Sequence, residues 1–222
     1  MKLNVLYEDN HLIVVEKLAG MLVQGDKTGD LSLMDEVKKY LKEKYKKPGN
    51  VFLGLVHRLD RPVGGVVLFA KTSKGASRLS AQFRERSVEK YYFAVVVGKT
   101  KEASGTIVSF LKKDEKKNTV EVFDYEVAGA KQAELFWDVK KVGAKNTLLK
   151  IKLGTGRAHQ IRAQLASIGH PVLGDIKYGA SEPLPDKSIA LFSASLSFST
   201  ATGEKSETVE LSWPKVWEKY LN

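Results

Sequence analysis

A chain of 222 residues with 43% hydrophobic and 28% charged side chains has the composition of an ordinary globular protein and the length to bury a sizeable core. Its 36 basic residues against 26 acidic ones leave a net charge of +10, which favours a polyanionic partner, although solubility alone accounts for such an excess equally well. Cysteine is absent, which excludes disulfides, thiolate metal sites and a cysteine nucleophile; with no signal-peptide core in "MKLNVLYEDN" and no membrane-length apolar run, an intracellular, cytoplasmic protein is expected.

Residues 3–16, "LNVLYEDNHLIVVE", set two apolar runs around Glu8-Asp9-Asn10 and predict a β-hairpin. Residues 32–47 predict an amphipathic helix, with Ser32 as N-cap, Asp35 three residues on, and Leu33, Val37 and Leu41 at helical spacing. Its lysine-rich face reads as solvated surface. "GGVVLFAK" (64–71) predicts a buried strand. Residues 72–86 then predict a helix with Ala76, Leu79 and Phe83 inward and Lys74, Arg78, Arg84 and Arg86 outward. "KYYFAVVVG" (90–98) is rich in strand formers, and alternation near 105–111, 119–127, 132–139 and 146–153 predicts further antiparallel strands. A third helix is predicted to begin near Gly156, run through "RAHQIRAQLASI" and stop at Gly169. Strands near 189–198 and 206–212 close the chain. No repeat or long linker interrupts this order. The expectation is one α+β domain over residues 1–222, a mixed, mostly antiparallel central sheet flanked by helices.

Several chemistries lack their motifs. There is no GxxxxGK[ST] loop, no GxGxxG after a strand, no HExxH and no GxSxG. The four histidines, His11, His57, His159 and His170, show no metal-ligand spacing, so no metal is expected. Two segments stand out instead. "HRLDRPVGGVVLFAK" (57–71) sets the lone carboxylate of Asp60 between Arg58 and Arg61. "LGTGRAHQIRAQLASIGHPVLGD" (153–175) leads a glycine turn into a helix carrying Arg157, His159, Gln160 and Arg162. On a helical wheel Ile161, Leu165 and Ile168 share a side, Arg162 lies on the margin of that stripe, and His159 points nearly opposite. An arginine at a core margin needs a carboxylate or several acceptors; Asp60 is one candidate, and other acids fit the spacing equally. A structural ion pair with turn glycines explains both segments as well.

A resemblance tips that balance. "HRLDRPVGGVVLFAK" resembles the catalytic segment of the RluA-type pseudouridine synthases, in which HRLD is followed by a Thr-Ser-Gly turn. The likeness extends in order along the chain, through "NVLYEDNHLIVVEK", "AQFRERSVEKYYFAVVVG", "AKQAELFW" and "GTGRAHQIRAQLASIGHPVLGDIKYG". It implies that Asp60 is the catalytic aspartate and Tyr92 the tyrosine that packs on the flipped uracil. Arg162 is then the basic partner of the aspartate, and Arg58 the residue that fills the gap left by the base. RNA contacts are expected from Arg58, His57, Arg61, Arg157, His159 and Gln160. Val63-Gly64-Gly65 departs from the Thr-Ser-Gly turn, Leu18-Ala19-Gly20 from a Lys-Pro-x-Gly pattern, and Phe192 stands where His is common. With no S4-like extension before the hairpin, the chain resembles the compact members of the family.

The chemistry implied needs no cofactor. Uridine isomerisation breaks N1–C1′ and joins C5 to C1′, and an ionised carboxylate suits the positive character that develops on the sugar. Asp60 adds covalently to the sugar or acts as a base to give a glycal; both routes remain open. A guanidinium beside it favours the charged form, and arginine holds both oxygens better than lysine does. The target base must leave its stack, at a cost of about a few kcal/mol that basic contacts offset. The expected partner is structured RNA, rRNA or tRNA, with a monomeric protein and no obligatory protein partner. A non-catalytic RNA-binding protein on the same fold is the alternative, and a glycosidase or nuclease a weaker third.

Overall fold

The computed structural model describes residues 3–203 and 205–222. In chain order the elements are β1 (Val5–Glu8), β2 (Leu12–Lys17), α1 (Leu33–Lys44), β3 (Gly54–Leu55), β4 (Gly64–Ala70) and α2 (Ser73–Glu85). There follow β5 (Glu89–Val97), β6 (Ser104–Asp114), β7 (Thr119–Phe123), β8 (Lys131–Val142), β9 (Asn146–Leu153) and α3 (Gln160–Ser167). After a 3-10 turn at Ile176–Tyr178 come β10 (Leu191–Ser199), β11 (Ser206–Glu210) and a last 3-10 turn at Lys215–Tyr220. These elements fall into two compact units. One takes the chain up to Glu89 with Ser193–Leu211, the other Lys90–Phe192 with Ser212–Asn222. Of the three breaks, Glu89/Lys90 and Phe192/Ser193 lie within runs of strand-forming residues, where no linker composition marks them, and Leu211/Ser212 follows β11.

In the first unit the strands lie in the order β1-β2-β4-β10, with β11 on β10 and β3 on β4. The β1–β2 turn is held by the Asp9 carboxylate, which accepts from the His11 and Leu12 N–H groups at 2.7 and 2.6 Å. Helix α1 starts where Ser32 and Asp35 cap each other reciprocally, as the S-x-x-D spacing predicts, and buries Leu33, Val37 and Leu41. Every residue of β4 is buried, which is why its sequence is a continuous apolar run and not an alternating one. Leu12, Val14, Val66, Leu68, Leu79, Val88, Leu196 and Phe198 form one cluster, with Ala76 and Phe83 of α2 packed on it. Each large side chain so buried contributes about 1.5–3 kcal/mol.

In the second unit the order is β5-β9-β8-β6-β7, all antiparallel. Cross-strand register places Tyr92, Ile151, Trp137 and Gly105 in one row, hence on one face. Gly105 leaves room there for the Trp137 ring, which a Cβ would overlap. Ala133 lies on the same face, four residues along β8 from Trp137, and clusters with Leu111, Val120 and Ala163 of α3. Helix α3 and Tyr92 therefore share a face of this sheet.

The α+β class and the mostly antiparallel sheet agree with the sequence reading. Helix α3 does not: it starts at Gln160, not near Gly156. His159 takes a left-handed conformation, φ +49°, so helical hydrogen bonding begins only after it. Ile168, expected on the buried stripe, is the residue after the helix and is 42% exposed. Gln160, Arg162 and Gln164 are buried along with Ile161, Ala163 and Leu165, so the helix has no solvated face over these residues.

Candidate active site

The turn that presents Asp60 is built over a cation. Lys17, the last residue of β2, is fully buried and donates to the carbonyls of Val63 at 2.7 Å and of Arg61 and Leu18 at 3.1 Å each. Burial pushes its pKa down to about 8; the Asp60 carboxylate acts in the opposite sense and Arg61 adds to the lowering. The Val63 N–H closes the turn on the Asp60 carbonyl at 3.0 Å. Arg61 and Gly20 bond reciprocally: the Gly20 N–H donates to the Arg61 carbonyl at 2.8 Å, and Arg61 Nε to the Gly20 carbonyl at 3.0 Å. Gly20 has φ +86°, which suits glycine. Arg61 also pairs with Asp30 at 2.7 Å, with both side chains about half exposed. Sequence reading missed Lys17; a lone lysine ending the apolar strand "LIVVEK" was the available signal.

Around this turn Leu59 and Val63 are buried, Asp60 is half-buried and Arg58 is exposed. His57 is engaged inside the unit: its Nε2 accepts from the Leu68 N–H at 2.9 Å, and its ring stacks on Phe83 at 5.0 Å. Gly65 has φ +119°, and a Cβ there would overlap the backbone of Ser193. The close approach that this glycine permits is thus that of β10.

In the second unit Tyr92 is 8% exposed on β5. Arg162 is 5% exposed, and its guanidinium forks onto Asp175, Nε to Oδ2 at 2.6 Å and Nη2 to Oδ1 at 2.9 Å. Its Cζ lies 5.0 Å from the centre of the Tyr178 ring. Tyr178 in turn accepts from the Val120 N–H at 2.8 Å and shares a 2.8 Å bond with His159 Nδ1. His159 is therefore half-buried against Tyr178 and not turned away from the packed side of the helix.

Gln160 staples the loop before α3: Nε2 donates to the Glu134 carbonyl at 2.8 Å, and Oε1 accepts from the Thr155 hydroxyl at 2.7 Å and the Arg157 N–H at 3.0 Å. Arg157 Nε reaches the Gln132 carbonyl at 3.1 Å. Asp175 and Tyr178 were not singled out from the sequence, though both lie in the quoted "GHPVLGDIKYG". Among the described residues no group of three or more His, Asp or Glu side chains is placed to hold a metal ion, and no helix is long and apolar enough to cross a membrane.

Comparison with known proteins identifies the family. A family model described as RNA pseudouridylate synthase matches residues 11–167, through the Asp60 turn, Tyr92 and Arg162. An "Uncharacterized RNA pseudouridine synthase" of Aquifex aeolicus (strain VF5) is 36% identical over 197 residues, 85% of this chain and 60% of the relative. A ribosomal large subunit pseudouridine synthase C of Buchnera aphidicola (subsp. Acyrthosiphon pisum) is 34% identical over 178 residues, 80% of this chain and 54% of the relative. The chain thus spans little more than half the length of such relatives. Among solved structures, human RNA pseudouridylate synthase domain containing 4 shares the fold, with a TM-score of 0.80 at 21% identity over 97% of this chain and 90% of that one. With the family model matching residues 11–167, well over half of its length, this chain belongs to the RNA pseudouridylate synthase family.

Proposed function

We propose that the chain isomerises uridines in structured RNA to pseudouridine, without a cofactor, as a monomer in the cytoplasm. The observation that carries this reading is the Asp60 turn, a half-buried carboxylate on a loop whose carbonyls are gathered by the buried Lys17, inside the segment the family model matches. Relatives named for the ribosomal large subunit favour rRNA as substrate, with tRNA second.

In the reaction N1–C1′ breaks, C5–C1′ forms, the C5 proton is lost and N1 takes one up. The atoms balance with no outside reagent. Asp60 acts at C1′, either as nucleophile or as the base that gives a glycal. Tyr92 offers a flat surface to the uracil once it has left the stack, and Arg162 is the guanidinium that the resemblance pairs with the aspartate. Arg58, exposed beside the turn, fills the place of the extruded base, while Arg61 and Arg157 meet phosphate. His57, His159 and Gln160 contribute by holding the loops that carry these groups.

The departures from Thr-Ser-Gly do not weaken this reading. Val63, Gly64 and Gly65 are all buried, so these changes fall in packing and not on a substrate-facing surface. The test is incubation with cellular RNA tritiated at uridine C5. Tritium is expected to be released, and Asp60→Ala to abolish the release. Binding without release from any RNA would favour a non-catalytic RNA-binding protein.

A further inference from the structure

We propose that Asp175 and Tyr178 are positioning residues that fix the guanidinium of Arg162, so that the enzyme's rate depends on two side chains beyond the catalytic set. The inference rests on the pseudouridine synthase reading and adds to it how the arginine is held.

The local chain explains why these two residues act together. Gly174, φ +85°, turns the backbone where a Cβ would overlap the Leu184 side chain, and a 3-10 turn follows at once. Asp175 immediately precedes this turn and Tyr178 is its last residue, and both side chains meet at the Arg162 guanidinium. The Tyr178 and Ala180 N–H groups both return to the Asp175 carbonyl at 3.0 Å, so the turn is closed twice on the residue that matters. Just upstream, Leu173 donates to the Val95 carbonyl at 2.8 Å and accepts from the Ala190 N–H at 2.9 Å, lacing the segment to β5 three residues beyond Tyr92.

The cradle is then specific to arginine. Asp175, 1% exposed, takes Nε and Nη2 in a side-on fork, so the edge bearing Nη1 points away from it. The Tyr178 ring lies over the guanidinium, 5.0 Å from its Cζ, and the Tyr178 hydroxyl is itself fixed from β7 by Val120 and from the start of α3 by His159. Lysine offers neither a fork nor a plane and would not be held this way.

The experiment compares wild type, Asp175→Asn, Tyr178→Phe and Arg162→Lys by tritium release on an RNA that the wild type modifies, alongside hydrogen exchange at the Arg162 Nε–H by NMR. Asp175→Asn should speed that exchange at least tenfold and lower kcat at least tenfold, with KM changed less than twofold. Tyr178→Phe keeps the ring and removes the hydroxyl; it should lower kcat about threefold, and it serves as the folded variant if Asp175→Asn unfolds. In an Arg162→Lys background Asp175→Asn should cost no further rate, the non-additivity expected of residues acting through one another. Unchanged kcat in folded Asp175→Asn and Tyr178→Phe, or additive losses in the double variant, would overturn the proposal while leaving the enzyme reading intact. A wild type that releases no tritium from any RNA removes that reading and this inference with it.

Discussion

The two units each bury a cation, and they compensate it in opposite ways. Lys17 sits among three backbone carbonyls, which are neutral dipoles, and burial lowers its pKa to about 8. Arg162 is met by the full charge of Asp175 and by an aromatic face, and it has no accessible neutral form. Carbonyl caging organises a loop at the expense of the charge, whereas carboxylate pairing keeps the charge and fixes its direction. A lysine suffices where a turn must be tied down; an arginine is required where a guanidinium must be aimed.

Removing the acid should hurt most. Asp175→Ala takes the forked carboxylate away from the buried Arg162 guanidinium and should cost about 3–5 kcal/mol, read as a lower urea midpoint. A loss below about 1 kcal/mol would break the contrast between the units. Next comes pH. Lys17 titrates near 8 folded against 10.5 as an ordinary lysine, so between those values the unfolded chain binds more protons. Its penalty is fully present below pH 8 and is relieved as pH rises toward 10.5, a relative gain approaching about 3 kcal/mol at about 1.4 kcal/mol per unit. Urea titrations of wild type and Lys17→Met across that window should diverge in this sense, since other groups titrate in both.

At neutral pH Lys17→Met itself should cost about 1–3 kcal/mol, because three carbonyls lose a donor while the burden of burying an ammonium disappears. An effect as large as that of Asp175→Ala would mean that the cage behaves as an ion pair.

Glu8 sharpens the comparison from the acid side. Burial would raise its carboxyl, but bonds from Lys44, Lys71, Tyr45 and Tyr40 outweigh that and bring it down to about 2. Its contribution is present above pH 4.5 and is lost as pH falls toward 2. Lys44 is nearly half exposed and so screened, which makes roughly 1–2 kcal/mol the expected scale. Glu8→Gln should flatten the acid limb of the stability curve by that amount.

What was legible in the sequence was local or periodic. The Ser32–Asp35 capping box, the turn around Asp9 and the apolar run of β4 each carry their cause within a few residues. The Asp60 turn was legible through its motif and Arg162 through its place on the margin of a helical stripe. Lys17 was not, because lysine almost never lies fully buried and only the folded loop supplies its three carbonyls. Asp175 and Tyr178 lie 13 and 16 residues beyond Arg162 and meet it only through the turn after Gly174. The start of α3 was misplaced because a left-handed His159 leaves no mark in composition, and the unit boundaries at Glu89/Lys90 and Phe192/Ser193 were hidden inside strand-forming runs.

Gly65 has a consequence for how such a protein fails. The hydrogen it presents to the Ser193 backbone is the largest group the space admits, so even a methyl would force β4 and β10 apart. A Gly65→Ala lesion would deform the strand that continues from the Asp60 loop while leaving each carboxylate, guanidinium and phenol chemically intact. Loss of function can therefore enter this protein through a single carbon atom, at a position with no chemistry of its own.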